Sequence, residues 1–213
     1  MDFNLEQIST YLENHTIAAT FDLLNYELKL IDERMEHLRL LHDDIVDSFQ
    51  RYSSSMSLAR AETISIMHIP KRTCLQVFEG YVYHRDIPYL FAKRCHEQDI
   101  PLRTMHSTPC YVVNQNIVLD NGCFAPVAVL FSCPSVSEIG DYPLEGGLYA
   151  TCTFSEALDH APRIYARMMK YLAEQGYEPC GNALEFCLVG EYESDDKAEF
   201  ANRLEVPVRL KQT

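Results

Sequence analysis

Gly176-Tyr177-Glu178-Pro179-Cys180-Gly181-Asn182-Ala183-Leu184-Glu185-Phe186-Cys187-Leu188-Val189 reads as a turn opening into a short apolar strand with a carboxylate at its middle. Period 2 along Ala183–Val189 puts Leu184, Phe186 and Leu188 on one face and Ala183, Glu185, Cys187 and Val189 on the other. The first face is predicted to pack against helices. The second, small residues around one acid, is predicted to face a cavity. An acid in a strand more often points to solvent or pairs with Lys or Arg. Held away from water and unpaired, it must take up a proton or meet a cation.

Working outward, strands are predicted over 62–69, 73–78, 110–114, 125–132, 148–154 and 203–210, and helices over 86–98 and 161–174. The second helix carries Ile164, Met168, Met169, Tyr171 and Leu172 at helical spacing, a core stripe. Phe78 and Phe154, His84 and His160, and Tyr89 and Tyr165 share one spacing, which suggests a duplicated strand-helix-strand-strand unit. Two such units side by side form one antiparallel sheet with both helices on one face and a concave front, a common ligand site.

Ahead of this region, residues 16–52 contain no Gly or Pro. Leu24, Leu28, Ile31, Met35, Leu38, His42, Ile45 and Phe49 follow alternating steps of four and three, the seam of a coiled coil. A helix of roughly 35 residues is about 50 Å long, more than a compact domain needs, so its seam is predicted to meet a second copy. Residues 53–60, rich in Ser, are predicted to break the helix as a linker. Residues 3–13 are predicted to form a short amphipathic helix with Asn4 at its N-cap and Gln7 three residues on.

The net charge of −13 argues against direct contact with nucleic acid, which needs a basic surface, and favours cationic ligands. The eight cysteines show no zinc spacing and read as buried, reduced thiols. No metal and no cofactor is expected. Without a leader or an apolar run long enough to span a bilayer, the expected compartment is the cytoplasm, with no membrane partner.

Gly147-Leu-Tyr-Ala, His160, the Tyr165 to Tyr171 helix, Gln175-Gly-Tyr-Glu-Pro, Leu184-Glu-Phe and Leu204-Glu-Val-Pro-Val, in that order, resemble the GyrI-like effector-binding domain. The seam helix preceded by Phe3-Asn-Leu-Glu-Gln-Ile resembles the join between DNA-binding and dimerisation parts of MerR-family multidrug-sensing transcription regulators. The resemblance implies an α+β fold: a long N-terminal dimerisation helix, then a GyrI-like domain of two strand-helix-strand-strand repeats, with an antiparallel sheet and helices on one face. It divides the chain into a remnant of the DNA-binding region (1–15), a coiled-coil helix (16–52), a linker (53–60) and an effector-binding domain (61–213). The winged helix-turn-helix expected ahead of Phe3 is absent, so DNA would be contacted only through a part this chain lacks.

What the resemblance implies for function is a homodimer, through residues 16–52, that binds lipophilic cations and regulates transcription without being an enzyme. Glu185 takes the position of the family's cation-pairing glutamate. The ring-stacking role passes to Tyr149, Tyr111, Phe131 and Tyr83. The alternative is a GyrI-like hydrolase with the same glutamate as general base. Against it stand the absence of Trp, which those hydrolases place beside the glutamate, and the long helix.

Overall fold

The computed structural model describes residues 16–80, 86–98, 108–120, 122–132, 140–155, 160–191 and 193–211. The expected helix at 3–13, Tyr83 and His84 lie outside the described residues.

Helix α1 spans Ile17–Ala61, 45 residues. The predicted linker is therefore helix, and the reason lies in packing. Ser55 and Ala59 are buried, and Ala59 packs with Val189, Ala201 and Tyr52. Ser54 satisfies its hydroxyl on the carbonyls of Gln50 and Arg51, so it does not unwind the backbone it sits on. The helix stops at Glu62, whose φ of 43° lies in the left-handed region. The chain divides into two compact units between Phe49 and Gln50. In the first unit Leu24, Leu28, Ile31, Met35, Leu38, Ile45 and Phe49 are all exposed.

The second unit, from Gln50, contains an α+β fold. Its strands are β1 (Ser65–Ile69), β2 (Arg72–Glu79), β3 (Thr108–Val118), β4 (Phe124–Ser132), β5 (Tyr142–Leu144), β6 (Gly147–Ser155), β7 (Tyr177–Pro179), β8 (Ala183–Val189) and β9 (Ala201–Leu210). Helix α2 (Ile87–Glu97) follows β2, and α3 (Ala161–Glu174) follows β6. Both start with Pro in the first turn, where a missing N–H costs nothing. Gly176, at φ 77°, turns the chain out of α3.

The strands form one antiparallel sheet in the order β1-β6-β9-β8-β3-β4-β2-β5, with β7 on β9. This order is symmetric about the β3–β8 seam, and each half reads strand, helix, strand, strand. The two helices cover one face. α2 buries Ile87, Phe91 and Cys95 against Leu75, Val129 and Phe131, while α3 buries Ile164 and Met168 in a cluster with Cys152, Phe154, Leu204 and Val206. Tyr111 packs against both clusters and joins them.

The sheet curls strongly away from its helices. Only Pro70-Lys71 separates β1 from β2, and only Glu145-Gly146 separates β5 from β6, yet neither pair of strands is hydrogen-bonded to each other. Instead each short link joins regions at opposite ends of the strand order. The links meet: Lys71 Nζ pairs with Glu145 at 3.3 Å, and a Cβ on Gly146 would stand 2.8 Å from Lys71 N.

Candidate ligand-binding site

Alternation along the curled strands gives the sheet a second apolar face, turned inward. Cys110 and Val112 of β3, Ala128 and Leu130 of β4, and Leu184, Phe186 and Leu188 of β8 share a cluster with Cys74, Leu144 and Tyr149. The opposite alternation puts Ala183 with the α3 cluster. The faces of β8 are thus the reverse of the expectation: Leu184, Phe186 and Leu188 look into the curl, and Glu185 lies on the helix side.

Glu185 stands opposite Tyr111 across β3–β8 and opposite Leu204 across β8–β9. It is half-buried, and Asn202 Nδ2 donates to its Oε1 at 3.2 Å. Phe131 shares the helix face, stacked on Phe91 with ring centroids 4.1 Å apart. Tyr149 alone among the described expected site residues lies on the inner face, in register with Pro207. Its hydroxyl donates to the Glu145 carbonyl at 2.6 Å, and burial pushes its pKa up, so it remains a neutral ring with a fixed tip. The four described residues of the five proposed from sequence therefore do not form one cluster.

A different acid occupies the inner face. On β9, Leu204, Val206 and Val208 face the helices, which turns Arg203, Glu205 and Pro207 inward. Glu205 is 1% exposed. Arg72 Nη2 donates to its Oε2 at 2.7 Å, and Arg203 Nε stands 2.9 Å from Oε1. The Arg203 contact is one of charge, since that nitrogen is not aligned to donate. Burial pulls the Arg72 guanidinium down, but its hydrogen bond to Glu205 and that residue's charge outweigh the loss and raise its pKa.

The reach of this pair measures the curl. β8, β3 and β4 lie between β9 and β2, so a flat sheet would hold the two strands about 19 Å apart at ~4.8 Å per step. Two side chains cannot span that distance, so the strands must bend toward each other over the face they enclose. Rings line the contact: the Arg72 guanidinium lies 5.9 Å from the Tyr149 centroid and 5.2 Å from that of Phe186, and Arg203 lies 5.1 Å from Phe186.

Among the described residues no group of His, Cys, Asp or Glu is placed to hold a metal. Cys74 and Cys110 sit on the inner face with thiol pKa values pushed up by burial, the state of an inert, protonated thiol. The expectation of buried thiols fails at Cys180, which is exposed. No helix among the described residues is long and apolar enough to cross a membrane.

No protein-family model matches the chain, and neither does any curated protein. Among solved structures it is similar to EcmrR in a cryo-EM structure of the EcmrR–DNA complex, at 12% identity and TM-score 0.49, over 98% of this chain and 78% of that one. It is similar to the crystallised EcmrR C-terminal domain at 13% identity and TM-score 0.44, over 70% of this chain and 98% of that one. A hydrolase from Listeria innocua is similar at 14% identity and TM-score 0.45, over 70% of this chain and 92% of that one.

Proposed function

We propose that the chain is the ligand-sensing and dimerising part of a MerR-type transcription regulator, and that it binds lipophilic small molecules on the inner face of its curled sheet. The observation that carries this reading is the placement of a charged triad, Arg72, Glu205 and Arg203, among the rings of Tyr149 and Phe186 on a face that is otherwise apolar. A mostly apolar surface with a few convergent polar groups is the usual form of a small-molecule site. Binding without turnover suits this face, since its acid, Glu205, is already held by two cations, while Glu185, the base of the hydrolase alternative, lies on the helix side.

The first unit supports the dimer. Its exposed Leu28, Ile31, Met35, Leu38 and Ile45 repeat at heptad spacing, and a second copy of the same helix is the partner that such a seam fits. A route from site to seam runs along β9. Arg203 is two residues from Ala201, which packs on Ala59 near the end of α1, and Arg51 of the same helix donates to Thr108 on β3 at 2.8 Å. A ligand that moves β9 shifts the last turns of α1 and biases its pairing.

Fluorescence titration with the neutral lipophilic dye Nile red, beside sedimentation equilibrium, tests both halves. Saturable binding at one dye per chain, weakened by Tyr149→Ser, is expected, as is a dimer that Leu38→Asp dissociates. Absence of saturable binding removes the sensor reading, and a monomeric parent protein removes the dimer.

A further inference from the structure

We infer that the inner-face site selects anionic small molecules, an acid group going to Arg72 and Arg203. The inference rests on the reading of this face as a ligand site and reverses the ligand charge expected from sequence.

The charge balance of the triad is the first reason. Two guanidinium groups face one carboxylate, leaving one net positive charge on an apolar face of a chain whose overall charge is −13. Lys71 and Glu145 nearby cancel within their own pair. Accessibility is the second reason. Glu205 is 1% exposed, whereas the side chains of Arg72 and Arg203 keep 22% and 36% of their surface. An incoming molecule therefore meets the arginines and not the acid. A cation could reach Glu205 only by expelling an arginine already bonded to it at 2.7 Å.

Donor count is the third reason. Both Glu205 oxygens are engaged, and each guanidinium carries several N–H donors. Arg72 Nε and Arg203 Nε are buried, so the donors to which a ligand can bring acceptors are the terminal Nη groups. A carboxylate or sulfonate is a pure acceptor and suits them.

Three probes with one ring system separate the possibilities: 2-naphthoate, 2-naphthalenemethanol and 2-naphthylmethylammonium, titrated into the full chain with naphthalene emission as readout. The anion is expected to bind at least about tenfold more tightly than the alcohol, the order that a charge-assisted hydrogen bond supplies, and the cation more weakly than either. Arg203→Gln should erase most of that preference. Glu205→Gln, which frees both guanidiniums without changing shape, should tighten naphthoate. Opposite signs from neighbouring residues cannot come from general unfolding, and a thermal melt of each variant confirms that it is folded. If the alcohol or the cation matches the anion, or if Arg203→Gln keeps the preference, anion selection is overturned while the sensor reading stands. If none of the three binds up to millimolar concentration, both fall.

Discussion

Arg72→Met removes a charged head while keeping most of the stem that lies along Phe186. In the parent protein Arg72 Nη2 is 2.7 Å from Glu205 Oε2, and Glu205 is 1% exposed. Removing one partner of a buried pair costs about 3–5 kcal/mol, because the remaining charge is left without compensation. Two features place this case at the lower end, about 3 kcal/mol. Arg203 still stands 2.9 Å from the other carboxylate oxygen, and the Arg72 side chain is 22% exposed, so part of its interaction is already screened by water. For a unit of this size each kcal/mol moves Tm by about 2–4 °C, which makes the expected fall ~6–12 °C.

The double variant Arg72→Met with Glu205→Leu should recover most of that loss and come within about 1 kcal/mol of the parent, since apolar groups often replace a buried ion pair at no cost. Arg203 loses its partner in that variant but remains 36% exposed and can turn to water. Thermal melts and urea unfolding, with the denaturant slope compared to confirm that the unfolded reference is unchanged, provide the measurement. The reasoning fails if Arg72→Met melts with the parent, or if the double variant is no more stable than the single one. Either result means that Glu205 is not a desolvated charge.

The Asp141 carboxyl is raised by burial, but the Gln76 amide at 2.8 Å and the Arg94 guanidinium more than offset this and hold its pKa below the usual range. A lowered folded pKa adds stability that is fully present above the unfolded value and lost as pH falls through the folded one; Asp141→Asn should therefore cost about 0.5–1 kcal/mol near neutrality, the gap to the parent closing in acid, as paired urea midpoints would show. Phe91→Ala removes the ring stacked 4.1 Å from Phe131 and should cost ~3–5 kcal/mol, with amide exchange accelerated in α2 far more than in α3. Gly146→Ala would drive a methyl to 2.8 Å from Lys71 N, backbone that cannot swing aside, and should cost about 1–3 kcal/mol in a thermal melt.

Much of the architecture is legible in the sequence. The seven-residue strand Ala183–Val189 appears with the bounds that alternation assigns it, and α3 keeps Ala161–Glu174 because its apolar stripe, its early Pro and Gly176 all agree. β5 and β7 have only three residues each, too few for any alternation to register. The helical continuation through residues 53–60 depends on Ala59 meeting Val189 and Ala201, partners far away in the chain. Local propensity sees serines there, and packing decides otherwise.

The identity of the inner acid is a harder matter, because period 2 divides a strand into two faces without saying which one is inside. That choice normally rests on contrast between an apolar and a polar face. In this sheet helices cover one face and the sheet's own curl covers the other, so Leu204 and Leu184 are equally buried although they point in opposite directions. Glu185 and Glu205 then look alike in sequence: each is a lone acid between apolar neighbours on strands that pair with each other. Their difference arises from curvature. Arg72 reaches Glu205 across three intervening strands only because the short links at Pro70-Lys71 and Glu145-Gly146 pull the ends of the sheet together. Links as short as these, between strands not bonded to each other, are the one mark of that bend in the chain itself. A reading that first asks which strands they can join would place Arg72 beside β9, and from there the sign of the site follows.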